Sequence, residues 1–139
     1  MNVSVVPSSE NNGYGMIALS LNERNEPELL PPAEIGRWNI HGGLVVLSGC
    51  RSAAGVWPWT GLVGLTRAWL AAGAQSVVSS RWDTPDEDGA LFRAFYRKLS
   101  TQHRPDAVEA LRAAQIEMLG APDWRSRPRY WGAYFVVGN

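Results

Sequence analysis

The feature that most constrains this 139-residue chain is a continuous apolar run, Leu44-Val45-Val46-Leu47-Ser48, which leads into Gly49 and Cys50. A run of β-branched and aliphatic residues without polar alternation is typical of a strand buried on both faces of a parallel sheet. Such sheets occur where helices cover both faces. The run therefore favours an α/β fold and puts Cys50 just past the carboxyl end of a buried strand.

The other predicted elements alternate along the chain. They are a strand at 16–21, a helical turn at 31–35, a helix at 62–72, a strand at 75–79, two helices that begin near Thr84 and Asp106, and a strand at 131–137. Thr84 is predicted as an N-cap, with Pro85 at the first helical position and Glu87 completing a capping box. Residues 1–13 are predicted as a loop or disordered N-terminus, and 120–129 as a loop. This order indicates a layered α/β domain.

Composition narrows the classes of function. Hydrophobic residues make up 45% and charged residues 19% of a chain whose formal net charge is zero, so neither nucleic acid nor an anionic membrane is expected as a partner. No stretch approaches the roughly 18 apolar residues of a membrane span, and the start lacks the basic region of a signal peptide. A cytoplasmic location is therefore expected. The single cysteine, Cys50, is either a small core residue or a reactive thiol, and no metal or other cofactor is expected.

Five segments occur in an informative order. They are the run 44–55 around Cys50, a helical segment 61–74, a strand segment 76–82, a helical segment 106–115 and a closing segment 130–138. From about residue 14 onward, the chain resembles the CHAT domain, a family related to caspases and separases. The resemblance implies a caspase-like three-layer α/β/α sandwich with a mostly parallel sheet and cysteine-dependent peptide cleavage. Residues 1–139 are thus predicted to form a single partial domain whose N-terminal strands are missing, with 14–139 as the matching region.

The resemblance also assigns roles to residues. Cys50 would be the nucleophile, and the backbone amides at Gly49 and Cys50 would face the developing oxyanion. Trp82, Asp83 and Asp86 would line a substrate pocket, with Asp86 favouring a basic substrate residue. The alternatives are that Trp82 packs under a helix and that Asp86 is a first-turn residue stabilised by the helix dipole.

The activating histidine of the family lies in a His-Gly pair upstream of the region that this chain matches. The chain has only His41 and His103. His41 precedes the strand that Cys50 follows, which puts the two side chains roughly 20–30 Å apart. His103 follows a helix that leads away from the Cys50 edge over roughly 20 Å. Both are therefore predicted to lie at the opposite edge, as a turn residue and a helix-end residue.

Two functions stay open on these grounds. In the first, the chain is part of a cysteine endopeptidase that acts on a polypeptide, and its partner is the histidine-bearing N-terminal half or another protein chain. In the second, the chain is a non-catalytic CHAT-like binding or assembly module. In both, the apolar edge of the 44–48 strand is expected to pair with another chain. A third possibility, an unrelated small ligand-binding α/β domain, lacks a phosphate loop or dinucleotide fingerprint.

Overall fold

A computed structural model describes residues 4–7, 15–48, 60–82, 84, 89–103 and 106–138. In these ranges the strands are β1 (Ser4–Pro7), β2 (Gly15–Leu21), β3 (Pro27–Leu30), β4 (Leu44–Val46), β5 (Ser76–Ser80) and β6 (Tyr134–Gly138). The helices are α1 (Pro32–Ile35), α2 (Thr60–Ala71), α3 (Ala90–Thr101) and α4 (Ala107–Leu119). Two short 3₁₀ turns, Trp124–Ser126 and Pro128–Tyr130, join α4 to β6.

The sheet that holds the predicted nucleophile strand has the order β4–β5–β6. β4 is parallel to β5, with Val46 opposite Val78. β6 is antiparallel to β5, with Tyr134 opposite Ser80. β4 and β5 therefore end where β6 begins. We call this side of the sheet the carboxyl edge and the opposite side the amino edge.

Both faces of this sheet are covered. Val77 belongs to a core cluster with Leu65 and Ala68 of α2, whereas its neighbour Val78 belongs to a second cluster with residues of α3 and α4, including Phe95 and Leu111. Val77 and Val78 are both 0% exposed. Since successive strand residues point to opposite faces, β5 is buried from both sides, in agreement with the buried strand predicted at 75–79.

The remaining strands form a separate antiparallel sheet in the order β1–β2–β3, with an irregularity in the register between Ala18 and Leu21. Ile17 and Leu30 of this sheet are buried in the same cluster as α2. The sequence predicted a loop over residues 1–13, and Ser4–Pro7 corrects that prediction, because these residues pair with β2.

The mixed α/β class is confirmed. A mostly parallel sheet is not confirmed by the three described strands, because one pair is parallel and the other antiparallel. Among the described residues, no helix has both the length and the apolar character that a membrane crossing requires.

The start of α3 differs from the prediction. α3 begins at Ala90, and its N-cap residue, Gly89, has a left-handed conformation with φ of 66°. The predicted start at Thr84 is therefore wrong, while Pro85 and Glu87 lie outside the described residues. The start of α4 agrees with the sequence, because the Asp106 carboxylate accepts hydrogen bonds from two backbone amides of its first turn.

Candidate functional site

The end of β4 fixes where the predicted nucleophile segment begins. The backbone amide of Leu47 donates to the carbonyl of Val78 over 2.8 Å, which continues the β4–β5 pairing by one residue. Ser48 follows and is exposed. Four of the predicted site residues lie outside the residues that the structure describes, so their roles stay predictions. They are Gly49, Cys50, Asp83 and Asp86.

The chain leaving β5 runs along the same edge. The Arg81 amide donates to the carbonyl of Ala133 over 3.0 Å, which extends the pairing with the β6 side beyond Ser80. Trp82 comes next, and it is 45% exposed. Of the three predicted pocket residues, Trp82 alone is described, and it lies at the carboxyl edge with nearly half of its surface open to solvent.

Hydrogen bonds tie this edge together on the face covered by α3 and α4. The hydroxyl groups of Thr84 and Tyr134 share a buried hydrogen bond of 2.8 Å. Gln115 of α4 donates through Nε2 to the carbonyls of Tyr134 and Trp131, at 3.0 and 3.4 Å. Buried polar groups are stabilising only when they are satisfied in this way. These bonds therefore fix the position of helix α4 relative to the segment after β5 and the start of β6.

A second pair of hydroxyl groups fixes α2, the helix that follows the predicted nucleophile segment. Thr66 of α2 and Ser79 of β5 share a hydrogen bond of 3.1 Å, and both residues are buried. Because this contact lies on the opposite face of β5 from Tyr134, the carboxyl edge is supported from both sides.

His41 lies at the amino edge. The amide of Ile40 donates to the carbonyl of Ala72 over 2.7 Å, and the amide of Gly42 donates to that of Gly73 over 3.0 Å. These bonds hold the exposed His41 beside the turn that precedes β5. This is the edge that the sequence predicted for His41.

His103 lies beyond the far end of α3. Phe92, in the first turn of α3, packs edge-on against Tyr134 with the ring centroids 4.9 Å apart, so α3 starts at the carboxyl edge. The helix has 12 residues, a length of about 18 Å, and His103 follows its last residue, Thr101, by two positions. The exposed His103 is therefore carried away from the carboxyl edge, in agreement with the prediction.

The sequence predicts a loop between α4 and β6 but not its position in the fold. In the structure this loop borders the carboxyl edge. Its two 3₁₀ turns pack on each other through Trp124 and Tyr130, with ring centroids 4.9 Å apart. The Trp131 indole donates to the carbonyl of Arg125 over 2.8 Å. The alternating arginines of this loop are visible in the sequence, but only the antiparallel direction of β6 brings them to this edge.

The electrostatics of this loop are dominated by one ion pair. Arg125 donates through Nε to both carboxylate oxygens of Asp123, at 2.9 and 3.0 Å, and its backbone amide donates to the same carboxylate. These bonds from Arg125 lower the pKa of Asp123 to about 2, so its carboxylate is ionised at neutral pH. Within the described ranges, no three histidine, aspartate or glutamate side chains gather closely enough to hold a metal ion.

Comparison with known proteins identifies the family. The family model for the CHAT domain matches residues 4–139. Tetratricopeptide repeat protein 28 of Mus musculus is 34% identical over 114 residues, and its counterpart of the same name from Homo sapiens is 31% identical over 114 residues. Each match covers 80% of this chain but 4% of the relative, so the chain spans a small fraction of those proteins. The chain belongs to the CHAT domain family.

Proposed function

We propose that this chain is the C-terminal part of a CHAT-type, caspase-like cysteine endopeptidase domain, with Cys50 as the nucleophile. The observation that carries the proposal is the position of the family's cysteine segment. It begins directly after β4, and β4 ends at the same edge as the parallel strand β5. In open parallel sheets, reactive groups gather beyond the carboxyl ends of neighbouring strands. Cys50 is the second residue after the exposed Ser48 at that edge.

The chemistry would be acyl transfer to sulfur. The Cys50 thiolate attacks the carbonyl carbon of a peptide bond, the amine leaves with a proton, and water then hydrolyses the thioester. Backbone amides at Gly49 and Cys50 would stabilise the oxyanion. A thiol with an ordinary pKa of about 8.5 is only a few per cent thiolate at neutral pH, so efficient attack requires a neighbouring imidazole.

Neither histidine of this chain is suited to be that imidazole. His41 lies at the amino edge, and His103 lies past the far end of α3. We therefore propose that the activating histidine comes from outside these 139 residues and that the chain alone has little or no peptidase activity.

The free side of β4 supports a partner that would supply this histidine. In the order β4–β5–β6, β4 is an edge strand within the described residues, and its three residues, Leu44 to Val46, are half-buried and apolar. An edge of this kind favours the addition of another strand. A complementary N-terminal half, or another protein chain, would pair here and complete a three-layer α/β/α sandwich around β4.

The substrate is proposed to be a polypeptide that enters along the carboxyl edge. Trp82 is open to solvent there and would form one wall of the pocket. Asp83 and Asp86 would provide its negative charge, which favours a basic residue before the cleaved bond. A cytoplasmic location fits a chain whose single cysteine must stay reduced.

The test combines the chain with a separately produced polypeptide that carries the family's upstream strands and their His-Gly pair. A thiol-reactive peptide ending in arginine is added, and labelling of Cys50 is followed by mass spectrometry. We expect labelling to accelerate only in the mixture, and to be lost in Cys50→Ser and when the added histidine is replaced by alanine. A stable mixture in which Cys50 reacts no faster than free cysteine contradicts the proposal and favours a non-catalytic module.

A further inference from the structure

We propose that two copies of this chain form a dimer through the outer edge of β6 and the adjoining side of α4. We call this the β6–α4 surface. It consists of residues 135–137 of β6 and of Val108, Glu109, Arg112 and Leu119 of α4. Because β6 and β4 lie at opposite ends of the sheet order β4–β5–β6, this dimer is independent of the pairing proposed at β4.

The backbone of β6 has hydrogen-bonding groups that face away from β5. The Arg81 amide bonds to the carbonyl of Ala133, its partner in the register. Hydrogen-bonded pairs alternate along an antiparallel ladder, so Phe135 and Val137 bond to β5, while the amide and carbonyl of Val136 point outward. Among the described residues, nothing bonds to these two groups of Val136, and β5 alone pairs with β6. Such an edge is a template for a further strand.

The sequence of β6 suits pairing with a second copy of itself. With a two-fold axis through Val136, the two Val136 residues exchange both backbone hydrogen bonds, and Phe135 of one copy lies opposite Val137 of the other. Phe135 and Val137 are half-buried and share the face of Val77, the register partner of Val137. An aromatic residue opposite a β-branched one is a stabilising cross-strand pair, and the symmetry forms this pair twice.

The exposed side of α4 faces the same way as the outer edge of β6. Gln115 donates to the carbonyl of Tyr134, which also points away from β5, so this side of α4 reaches the outer edge of β6. Val108 and Leu119 lie within about 40° of Gln115 around the helix and are 51% and 58% exposed. Glu117, about 180° from Val108, pairs with two basic side chains of α3. The two exposed apolar residues therefore point away from α3 and toward a chain added at β6.

The charges on α4 match those of a second α4 in the same dimer. α4 ends and β6 begins at the carboxyl edge, so the two elements run in opposite directions. Gln115 is level with Tyr134, and Val136 lies about 7 Å further along, a distance of between about four and five helical residues. The two-fold axis then passes near residues 110–111, which puts Glu109 of one copy opposite Arg112 of the other. Their side chains are 61% and 68% exposed and carry opposite charges.

The test measures the mass of the 139-residue chain by sedimentation equilibrium, with a reducing agent present so that Cys50 forms no disulfide. The variants are Glu109→Arg, Arg112→Glu, an equimolar mixture of these two proteins, and the double variant that carries both changes. Both positions are exposed, so each variant should keep the fold. Circular dichroism checks this.

We expect the wild type to sediment as a dimer and each single variant to dissociate at least about tenfold more readily, because like charges then face each other. The mixture should dimerise as the wild type does, since the arginines of one protein meet the glutamates of the other. The double variant should also dimerise. A mixture that associates no more tightly than either single variant would overturn the proposal, and so would a wild type that stays monomeric up to its highest soluble concentration.

The strand part of the surface is tested by Val137→Lys, which puts a charge between the two copies. We expect the dimer to be lost. Leu21→Lys is the control, because Leu21 is an apolar strand residue of the other sheet that is 59% exposed, and its change should leave the dimer intact. A dimer that survives Val137→Lys contradicts the β6 pairing. An assembly formed through β4 would be insensitive to all of these changes, so failure here is distinct from failure of the proposed function.

Discussion

The Thr84 and Tyr134 hydroxyl groups, 50 residues apart in sequence, share a 2.8 Å hydrogen bond at the carboxyl edge. Thr84 is 5% exposed and Tyr134 8% exposed, so the bond is shielded from water. It joins the segment after β5 to the first residue of β6. Trp82 lies two residues before Thr84, so this bond helps to hold the segment that carries Trp82.

Removing one partner of this hydrogen bond should destabilise the fold. Tyr134→Phe leaves the buried Thr84 hydroxyl without this partner, and we expect a loss of about 1–2 kcal/mol in the free energy of unfolding. Urea denaturation followed by circular dichroism measures it. The matched control is Tyr96→Phe, because Tyr96 is 50% exposed and its change should stay within about 0.5 kcal/mol. Equal effects of the two substitutions would contradict the assigned hydrogen bond.

The burial of β5 on both faces gives a second prediction. Val77→Ala and Val78→Ala each remove two buried methyl groups from a different core cluster, so each should cost about 2 kcal/mol. Val108→Ala makes the same chemical change on the exposed side of α4, where Val108 is 51% exposed. There the better helix propensity of alanine should leave stability unchanged or slightly raised. If only one of the two β5 variants were destabilised, one face of the sheet would be uncovered.

The turn that holds His41 at the amino edge depends on Gly73. Its φ is +105°, and an added Cβ would lie 2.1 Å from the carbonyl oxygen of Ile40. Gly73→Ala should therefore cost more than about 2 kcal/mol. Gly42→Ala is the control, since Gly42 also has a positive φ, +72°, but open space around it, and should cost about 1 kcal/mol. Thermal unfolding measures the loss of stability in each variant. An equal loss in both would contradict the close approach of Gly73 to Ile40.

The Asp123–Arg125 pair predicts a pH dependence. Bonds from Arg125 lower the pKa of Asp123 to about 2 in the folded chain, so the folded state binds this proton less readily than the unfolded state. The stabilisation is therefore complete above the unfolded pKa and is lost as pH falls from about 4 to about 2. Asp123→Asn should be less stable than the wild type at neutral pH, with the difference disappearing over that window. A carboxyl NMR titration that shows an ordinary pKa for Asp123 would exclude this pair.

Much of the fold could be predicted because its signals are local. The apolar run of β4, the paired valines of β5, the periodicity of α2 and the Asp106 cap of α4 each act within a few residues of their own position. The start of α3 could not be predicted in the same way. α3 begins at Ala90 after the left-handed Gly89, and the Thr84 hydroxyl bonds to Tyr134, a partner 50 residues away that leaves no local pattern.

Pairing between distant strands explains the other differences. β1 and β3 have four residues each, and both include a proline, so they carry little strand signal without β2 between them. The direction of β6 is likewise set by its pairing with β5, and it decides that Arg127 and Arg129 lie at the carboxyl edge. The predicted roles of Cys50, Gly49, Asp83 and Asp86 rest on the family resemblance and remain predictions.

The central claim is that Cys50 is a nucleophile whose activating imidazole lies outside this chain. The pH dependence of Cys50 alkylation with iodoacetamide tests this claim most directly. The wild type and the His41→Ala/His103→Ala variant are compared by mass spectrometry. We expect the same profile for both, rising with an apparent pKa near the ordinary thiol value of about 8.5. Rapid alkylation of the wild type well below neutral pH that is lost in the histidine variant would contradict the account.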